Sequence, residues 1–345
     1  PYRLESWIPG AQMDAVAFDG YALGKPKITR ILARIFGDEN TVLANVLAHE
    51  VDFAVENSMR FEHAQTLKGE WSTSGAGRVE IWPANVILNL VQFRPDYQKE
   101  PALFDLRVRR AMAYSIDRQT LQDGLYGGEG ETAVAALDPD GRFYPSIKEG
   151  VTKYSYDPRE TERIMNQAGY LKNRDGYYTS AAGEEFQPEF QTIAGTSFER
   201  GLAIITDTFW KSGVHVQPAV MSAAQQRDNQ ARATFSGIGM ALTSGYNSGS
   251  SFSSSDIGTP ANRWNGTNRG GWANPDFDRL VTAFNSTLDA NDRVQRAVSL
   301  YKLLSDELPA FPMYFDMKVS ARTAALRGPQ ARATTWNLQD WELAS

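Results

Sequence analysis

Between Thr196 and Leu242, runs of helical period alternate with runs of extended apolar residues, and this alternation limits the fold more than any other property of the chain. Thr196 stands three residues before Glu199, the spacing of a capping box at a helix start. The helix it opens carries Leu202, Ile205, Phe209 and Trp210 on one side and stops at Gly213. Residues 214–220 then read as a strand, 222–231 as a polar helix and 236–242 as an apolar strand. Strand, helix and strand in succession bury their apolar faces best as a largely parallel sheet covered by helices, an α/β fold.

The flanking sequence fits the same class. Residues 2–5, 14–18, 27–36 and 51–55 have strand character, and 40–49 reads as a helix capped at Asp38. Ile81, Val86, Leu88, Leu90 and Val91 mark a long strand over 79–93, in which Pro83 signals an edge or a break. In the run 104–118, Asp105 can cap a helix on which Val108, Ala111, Met112 and Ile116 recur at helical spacing, and Asp117 opens a second helix. A helix over 157–168, a polar strand pair over 177–193, helices over 275–287 and 289–308, and a returning strand over 311–315 complete the pattern.

A chain of 345 residues is long enough for two or three domains. Its formal net charge of −6 argues against a polyanion-binding surface, so no nucleic-acid partner is expected. It has no cysteine, and its three histidines, His49, His63 and His215, are far apart, so no transition-metal site and no cofactor are expected. No phosphate-cradling loop, dinucleotide-type glycine fingerprint or Gly-x-Ser-x-Gly elbow occurs. A carboxylate-dependent hydrolase stays open as an alternative, because two acids suffice and the chain has 41; Asp105, Asp157, Asp276 and Asp289, however, sit where helix capping explains them.

The stretch 243–267 is the candidate functional loop. It is rich in Ser, Gly and Asn, carries Tyr246 and Trp264, and leaves the carboxyl end of an apolar strand, where open α/β sheets bind ligands. The aromatic side chains offer broad apolar contact with a polar edge.

Several short motifs then recur in one order. Asp105, Arg107, Val108, Arg109, Ala111, Ile116, Asp117 and Arg118 resemble the "D-x-R-V-R-x-A-x-x-x-x-I-D-R" signature of the extracytoplasmic solute-binding proteins that feed ABC importers, the peptide- and nickel-binding family 5, or cluster C. Pro1, Tyr2, Leu4 and Trp7 resemble its "G-P-Y-x-L-x-x-W" strand; Glu50 to Ala54 resemble "G-E-I-D-x-A", with His49 in place of the usual glycine. Tyr156-Asp157-Pro158 leading to Ala168-Gly169-Tyr170, Trp210 to Val216, and Asn274 to Leu280 resemble three further family motifs.

The resemblance covers the carboxyl-terminal two-thirds of the family pattern. It implies a periplasmic-binding-protein type II-like fold: two lobes with mixed or parallel sheets, joined by two crossing strands, with residues 1–88 plus 316–345 as an incomplete lobe I and 89–315 as the substrate-binding lobe III. It implies capture without catalysis. A short peptide, or as the alternative an oligosaccharide, would be held in an inter-lobe cleft and delivered to permease subunits by a monomeric periplasmic or extracellular protein. An export signal or lipid anchor would then lie in a preceding segment outside this sequence.

In the peptide-binding relatives the strand end before the loop supplies an aromatic residue and, three positions later, an aspartate for the peptide's amino terminus. Those positions fall here on Leu242 and Gly245, neither of which can act so. A buried α-ammonium group needs a compensating charge, and Glu199 and Asp316 are the carboxylates expected to provide it. The expected ligand-binding set is therefore Leu242, Thr243, Gly245, Tyr246, Asn247, Trp264, Glu199, Arg200, Asp316 and Asn85.

Overall fold

The computed structural model describes residues 1–243, 249–330 and 335–344. In chain order the elements are β1 (Tyr2–Ile8), β2 (Gln12–Ala17), β3 (Arg30–Arg34), α1 (Glu39–Leu47), β4 (Phe53–Ala54), α2 (Phe61–Ser74) and β5 (Gly77–Val91). Next come α3 (Leu106–Tyr114), α4 (Arg118–Tyr126), α5 (Tyr144–Gly150), α6 (Pro158–Gln167), β6 (Leu171–Lys172), β7 (Tyr178–Thr179), β8 (Glu189–Ile193), α7 (Thr196–Lys211) and β9 (Gln217–Met221). They are followed by α8 (Ala223–Arg227), α9 (Asn229–Ala233), β10 (Ile238–Thr243), α10 (Pro275–Ser286), α11 (Ala290–Glu307), β11 (Ala310–Thr323), β12 (Leu326–Arg327) and β13 (Glu342–Leu343).

These elements form two compact units, Pro1–Trp82 with Met317–Ser345, and Pro83–Asp316. β5 and β11 are the strands whose ranges belong to both. They run antiparallel, since Val91 N–H donates to Pro309 O (2.9 Å) and Ala324 N–H donates to Ala76 O (2.8 Å).

In the first unit β1, β2 and β3 make an antiparallel sheet, and β4 pairs with β11 through Ala54 and Ala321. Its core gathers Val46, Ala64, Leu67, Trp71, Val319 and Ala321 from α1, α2 and β11. The helix α2 escapes the periodicity reading although Phe61, Ala64, Leu67 and Trp71 are all buried. Its remaining face is so rich in Ser, Thr, Glu and Lys, and its start so poor in ordinary caps, that the apolar stripe is diluted; Arg60 takes the cap position, its N–H donating to His63 Nδ1 (3.2 Å).

The second unit is built on the strand order β11-β5-β10-β8-β9, with β5 antiparallel to β10 and β10, β8 and β9 mutually parallel. The parallel part is what the strand, helix, strand alternation requires. The strand pair expected over 177–193 is not one hairpin: β7 pairs with β6, and β8 joins the main sheet. Pro188, which cannot donate to a ladder, separates the two. The polar helix expected over 222–231 is two short helices, α8 and α9, divided at Asp228, whose carboxylate caps the second. Helix α5, too short for its period to register, buries Tyr144 and Ile147 beside Phe277, Leu300 and Phe315.

The run 104–118 is a set of fastenings. Asp105 caps α3 by accepting from Arg107 N–H (2.8 Å), and Arg107 returns its guanidinium to the same carboxylate while donating to Gln167 O (2.9 Å). Val108, Ala111, Met112 and Ile116 are fully buried. Arg109, also buried, donates to Leu103 O and Phe104 O (both 2.9 Å) and through two nitrogens to Glu307 O (3.1 and 2.9 Å), 198 residues away. Asp117 caps α4 through Thr120 N–H, and Arg118 donates to Pro312 O (2.8 Å) and Tyr154 O (3.1 Å). Every residue type in the motif thus has a structural partner.

Two capping expectations change. Helix α7 begins at Thr196 with Gly195 as its cap residue, and Glu199 reaches back to Gly195 N–H (3.0 Å), so Thr196 is not the capping side chain. Helix α10 is capped by Asn274, and Asp276, inside its first turn, pairs with Arg279.

Three helices end in the same motif, in which the residue after the cap is left-handed and the next two amides close back on the last turn. After α6, Gly169 (φ 91°) donates to Asn166 O and Tyr170 to Met165 O; after α7, Gly213 (φ 92°) and Val214 do likewise to Trp210 O and Phe209 O. After α1 the left-handed residue is His49 (φ 58°), donating to Val46 O (3.1 Å), with Glu50 donating to Asn45 O (2.9 Å). The glycine that His49 replaces is one that the backbone itself requires. Leu308, the buried cap of α11, is left-handed too (φ 49°).

Three outcomes follow from these contacts. His49→Gly should raise the urea midpoint by the equivalent of about 0.5–1 kcal/mol, the left-handed penalty less the added flexibility of the unfolded chain. Arg109→Met should lower unfolding free energy by about 3 kcal/mol, because three carbonyls lose their donors, and Arg109→Lys should not restore it. Asp105→Ala should cost about 1 kcal/mol at pH 7 in the same assay, the usual value of a helix cap. The hydrogen bond from Arg107 holds the Asp105 carboxyl below its ordinary range, so its contribution is complete above the unfolded value and vanishes as pH falls through the lower folded value. The difference between wild type and Asp105→Ala should therefore shrink on acidification.

Candidate functional site

β8 and β10 are parallel, so their carboxyl ends, Ile193 and Thr243, lie at the same end of the sheet in the second unit. β5 and β11 bring their own residues to that end. Thr243 pairs with Val86, placing Asn85 next in line, and Val86 N–H donates to Asp138 Oδ1 (3.0 Å). β11 reaches Asp316 as it leaves the unit. Helix α7 starts two residues after β8, so its first turn, with Glu199 and Arg200, belongs to this rim as well.

Tyr126, from the end of α4, and Tyr314, two residues before Asp316, floor the rim with ring centroids 6.2 Å apart. Tyr126 OH donates to Asp316 Oδ1 at 3.4 Å. Gly201 of α7 lies close by: a Cβ there would come within 3.3 Å of Tyr314 OH. Burial, with the nearby Asp316 charge, pushes the Tyr314 phenol well above its ordinary value, so it stays a neutral donor or acceptor at any physiological pH. The arrangement can hold a cation or a hydrogen-bonding group at Asp316 against an aromatic floor.

The expected residues divide as follows. Asn85, Asp316, Glu199 and Arg200 come to the rim, and Leu242 and Thr243 enter it as the last residues of β10, their backbones paired with Ile87 and Val86. Asn85 and Asp316 are half-buried, whereas Glu199 and Arg200 are exposed. Glu199 is engaged with the Gly195 amide at the exposed helix start, and Asp316 stands half-buried beside Tyr126. Gly245, Tyr246 and Asn247 lie outside the described residues.

Trp264 is not with the others. Its ring packs edge-on to Tyr97 (6.2 Å) and under the Arg94 guanidinium (5.8 Å), both of which follow the far end of β5. From Val86 to Val91 that strand spans about 17 Å at its usual rise per residue. The cause is Arg94, whose nitrogens bond Ala233 O, Gly258 O and Arg269 O and tie the segment around Trp264 back to the amino end of β10. Tyr126 and Tyr314, in turn, were not expected. Tyr314 was within reach of the pattern, since it stands two residues from Asp316 and side chains two apart on a strand share a face. Among the described residues no three His, Asp or Glu side chains form a metal-holding group.

The model of the bacterial extracellular solute-binding proteins, family 5, middle region, matches residues 1–262. The oligopeptide-binding protein AppA of Bacillus subtilis is 20% identical over 350 residues, covering 100% of this chain and 61% of AppA. This chain therefore spans about three fifths of the length of that relative. Among solved structures, Bacillus subtilis AppA in complex with a nonapeptide matches with a TM-score of 0.74 at 19% identity, over 100% of this chain and 66% of that one. NikZ from Campylobacter jejuni in complex with Ni(L-His) matches with a TM-score of 0.77 at 18% identity, over 99% and 67%. These likenesses establish the fold as α/β of the periplasmic-binding-protein type II kind. With more than half of its residues matched by the family model, the chain belongs to the bacterial extracellular solute-binding proteins of family 5.

Proposed function

We propose that the protein is the solute-binding component of an ABC importer, taking short peptides outside the cytoplasm and delivering them to permease subunits. The unit Pro83–Asp316 is read as the lobe that contacts the ligand, with the end of the sheet at Asn85, Thr243 and Asp316 as its contact surface. The observation that carries the reading is Asp316, a half-buried carboxylate above the paired rings of Tyr126 and Tyr314. An α-ammonium group leaving water needs such a charge, and position 245, where the peptide-binding pattern puts an aspartate, is glycine in this sequence. The similarity to AppA, solved with a nonapeptide, favours the same class of ligand. Transport without catalysis, a location outside the cytoplasm and a monomeric form belong to this reading. The oligosaccharide alternative has less support, because Trp264, whose ring could stack on a sugar, stands at the other end of the sheet.

Isothermal titration of the full-length protein against a tripeptide mixture tests the reading. Free tripeptides should bind saturably, and Asp316→Asn should weaken them at least about tenfold, equivalent to 1.4 kcal/mol. Amino-terminally acetylated forms should bind weakly to both proteins. An unchanged affinity in Asp316→Asn would remove Asp316 from the role, and a thermal midpoint raised only by oligosaccharides or nickel chelates would remove the peptide.

A further inference from the structure

A cavity of about 280 Å³ opens at the start of β11, six residues before Asp316, within the second unit. Val134, Ala135, Phe252, Tyr301, Leu304 and Leu308 give it an apolar wall, and Arg118 enters the lining together with Pro312 at the start of β11. Six residues of extended strand, about 20 Å, separate Ala310 here from Asp316 on the rim.

Arg118 is the informative group. Its Nε donates to Pro312 O and its Nη1 to Tyr154 O, while Nη2 donates to nothing among the described residues. Arg109, from the same motif, uses all three guanidinium nitrogens on carbonyls. Among the described residues no carboxylate pairs with Arg118. Asp117 is engaged by Thr120 N–H and hydroxyl, and Asp306, near the cavity through Thr152, is engaged by Lys302 and Thr152. Lys153, also in the lining, is paired with Glu149 (3.8 Å), so Arg118 is the cation on which the site turns. Burial depresses the Arg118 pKa to about 10, which leaves the guanidinium charged at neutral pH but poorly compensated.

A cationic fork with an open nitrogen, at the edge of an apolar chamber, matches an anion with an apolar body. The volume lies just under the usual range for drug-sized ligands, roughly 300–1,000 Å³, so the guest is small. We propose that this cavity is a second binding site, taking a small organic monocarboxylate whose carboxylate meets Arg118 and whose ring or short chain fills the apolar chamber. The proposal does not rest on the peptide reading, since none of the rim carboxylates or tyrosines contributes to it.

The test is a fluorine NMR titration of the 345-residue protein with 4-fluorobenzoate. Saturable binding with a dissociation constant below about 1 mM is expected, with displacement by benzoate and at least tenfold weaker displacement by the neutral isostere benzamide. Arg118→Gln should weaken binding at least tenfold. Because that change also removes bonds to Pro312 and Tyr154, a cavity-filling variant, Ala136→Leu, which leaves Arg118 and its carbonyl partners in place, should do the same. Binding that benzamide matches, binding unchanged in Ala136→Leu, or no saturable binding would overturn the proposal. Tripeptides should not displace 4-fluorobenzoate; if they do, the cavity is not separate from the peptide site, and the proposal also fails.

Discussion

The guanidinium of Arg109 is the fastening on which the second unit depends. Three carbonyls, two from the turn before α3 and one from the last residue of α11, have no better donor, and one planar cation serves them all at 2.9–3.1 Å. The Phe93 ring lies 5.0 Å beneath the same group, so its charge also rests on an aromatic face. Three residues past Glu307 the strand β11 begins, and Arg118 grips it again at Pro312. Two arginines nine positions apart thus set the course of the strand that carries Tyr314 and Asp316 to the rim. A motif that contacts no ligand candidate on that rim nonetheless determines where its carboxylate stands.

The sequence makes much of this architecture legible, and the parts it hides have physical reasons. Alternation of period around 196–242 yields the parallel strands β8, β9 and β10 because burial of each face imposes its own spacing. Aspartates 38, 105, 117, 157 and 289 do act as helix caps. What period and propensity do not encode is long-range tethering. Arg94 decides that Trp264 packs on Tyr97, and nothing local at Trp264 announces it. Helix α2 is hidden for the opposite reason, since its stripe is present but Arg60 stands where an ordinary amino-terminal cap residue would announce it, and short α5 is hidden by its length.

Electrostatics separate the two ends of the part of β11 that lies in the second unit, Ala310 to Asp316. At the Asp316 end the acidic group is held by a tyrosine hydroxyl and stands over aromatic rings; at the Ala310 end the basic group is held by backbone carbonyls and faces aliphatic carbon. Under the two proposals these places differ in the chemistry they offer a guest, a carboxylate at one and a guanidinium at the other.

The left-handed backbone at Leu308 has a further consequence. A glycine there would relax the torsion, yet it would also strip a hydrocarbon side chain from the chamber beside Arg118. By tolerating an unfavourable φ, the chain keeps a hydrocarbon side chain in that wall, so a torsional penalty at the foot of a helix maintains apolar surface beside a cation 190 positions earlier in the chain.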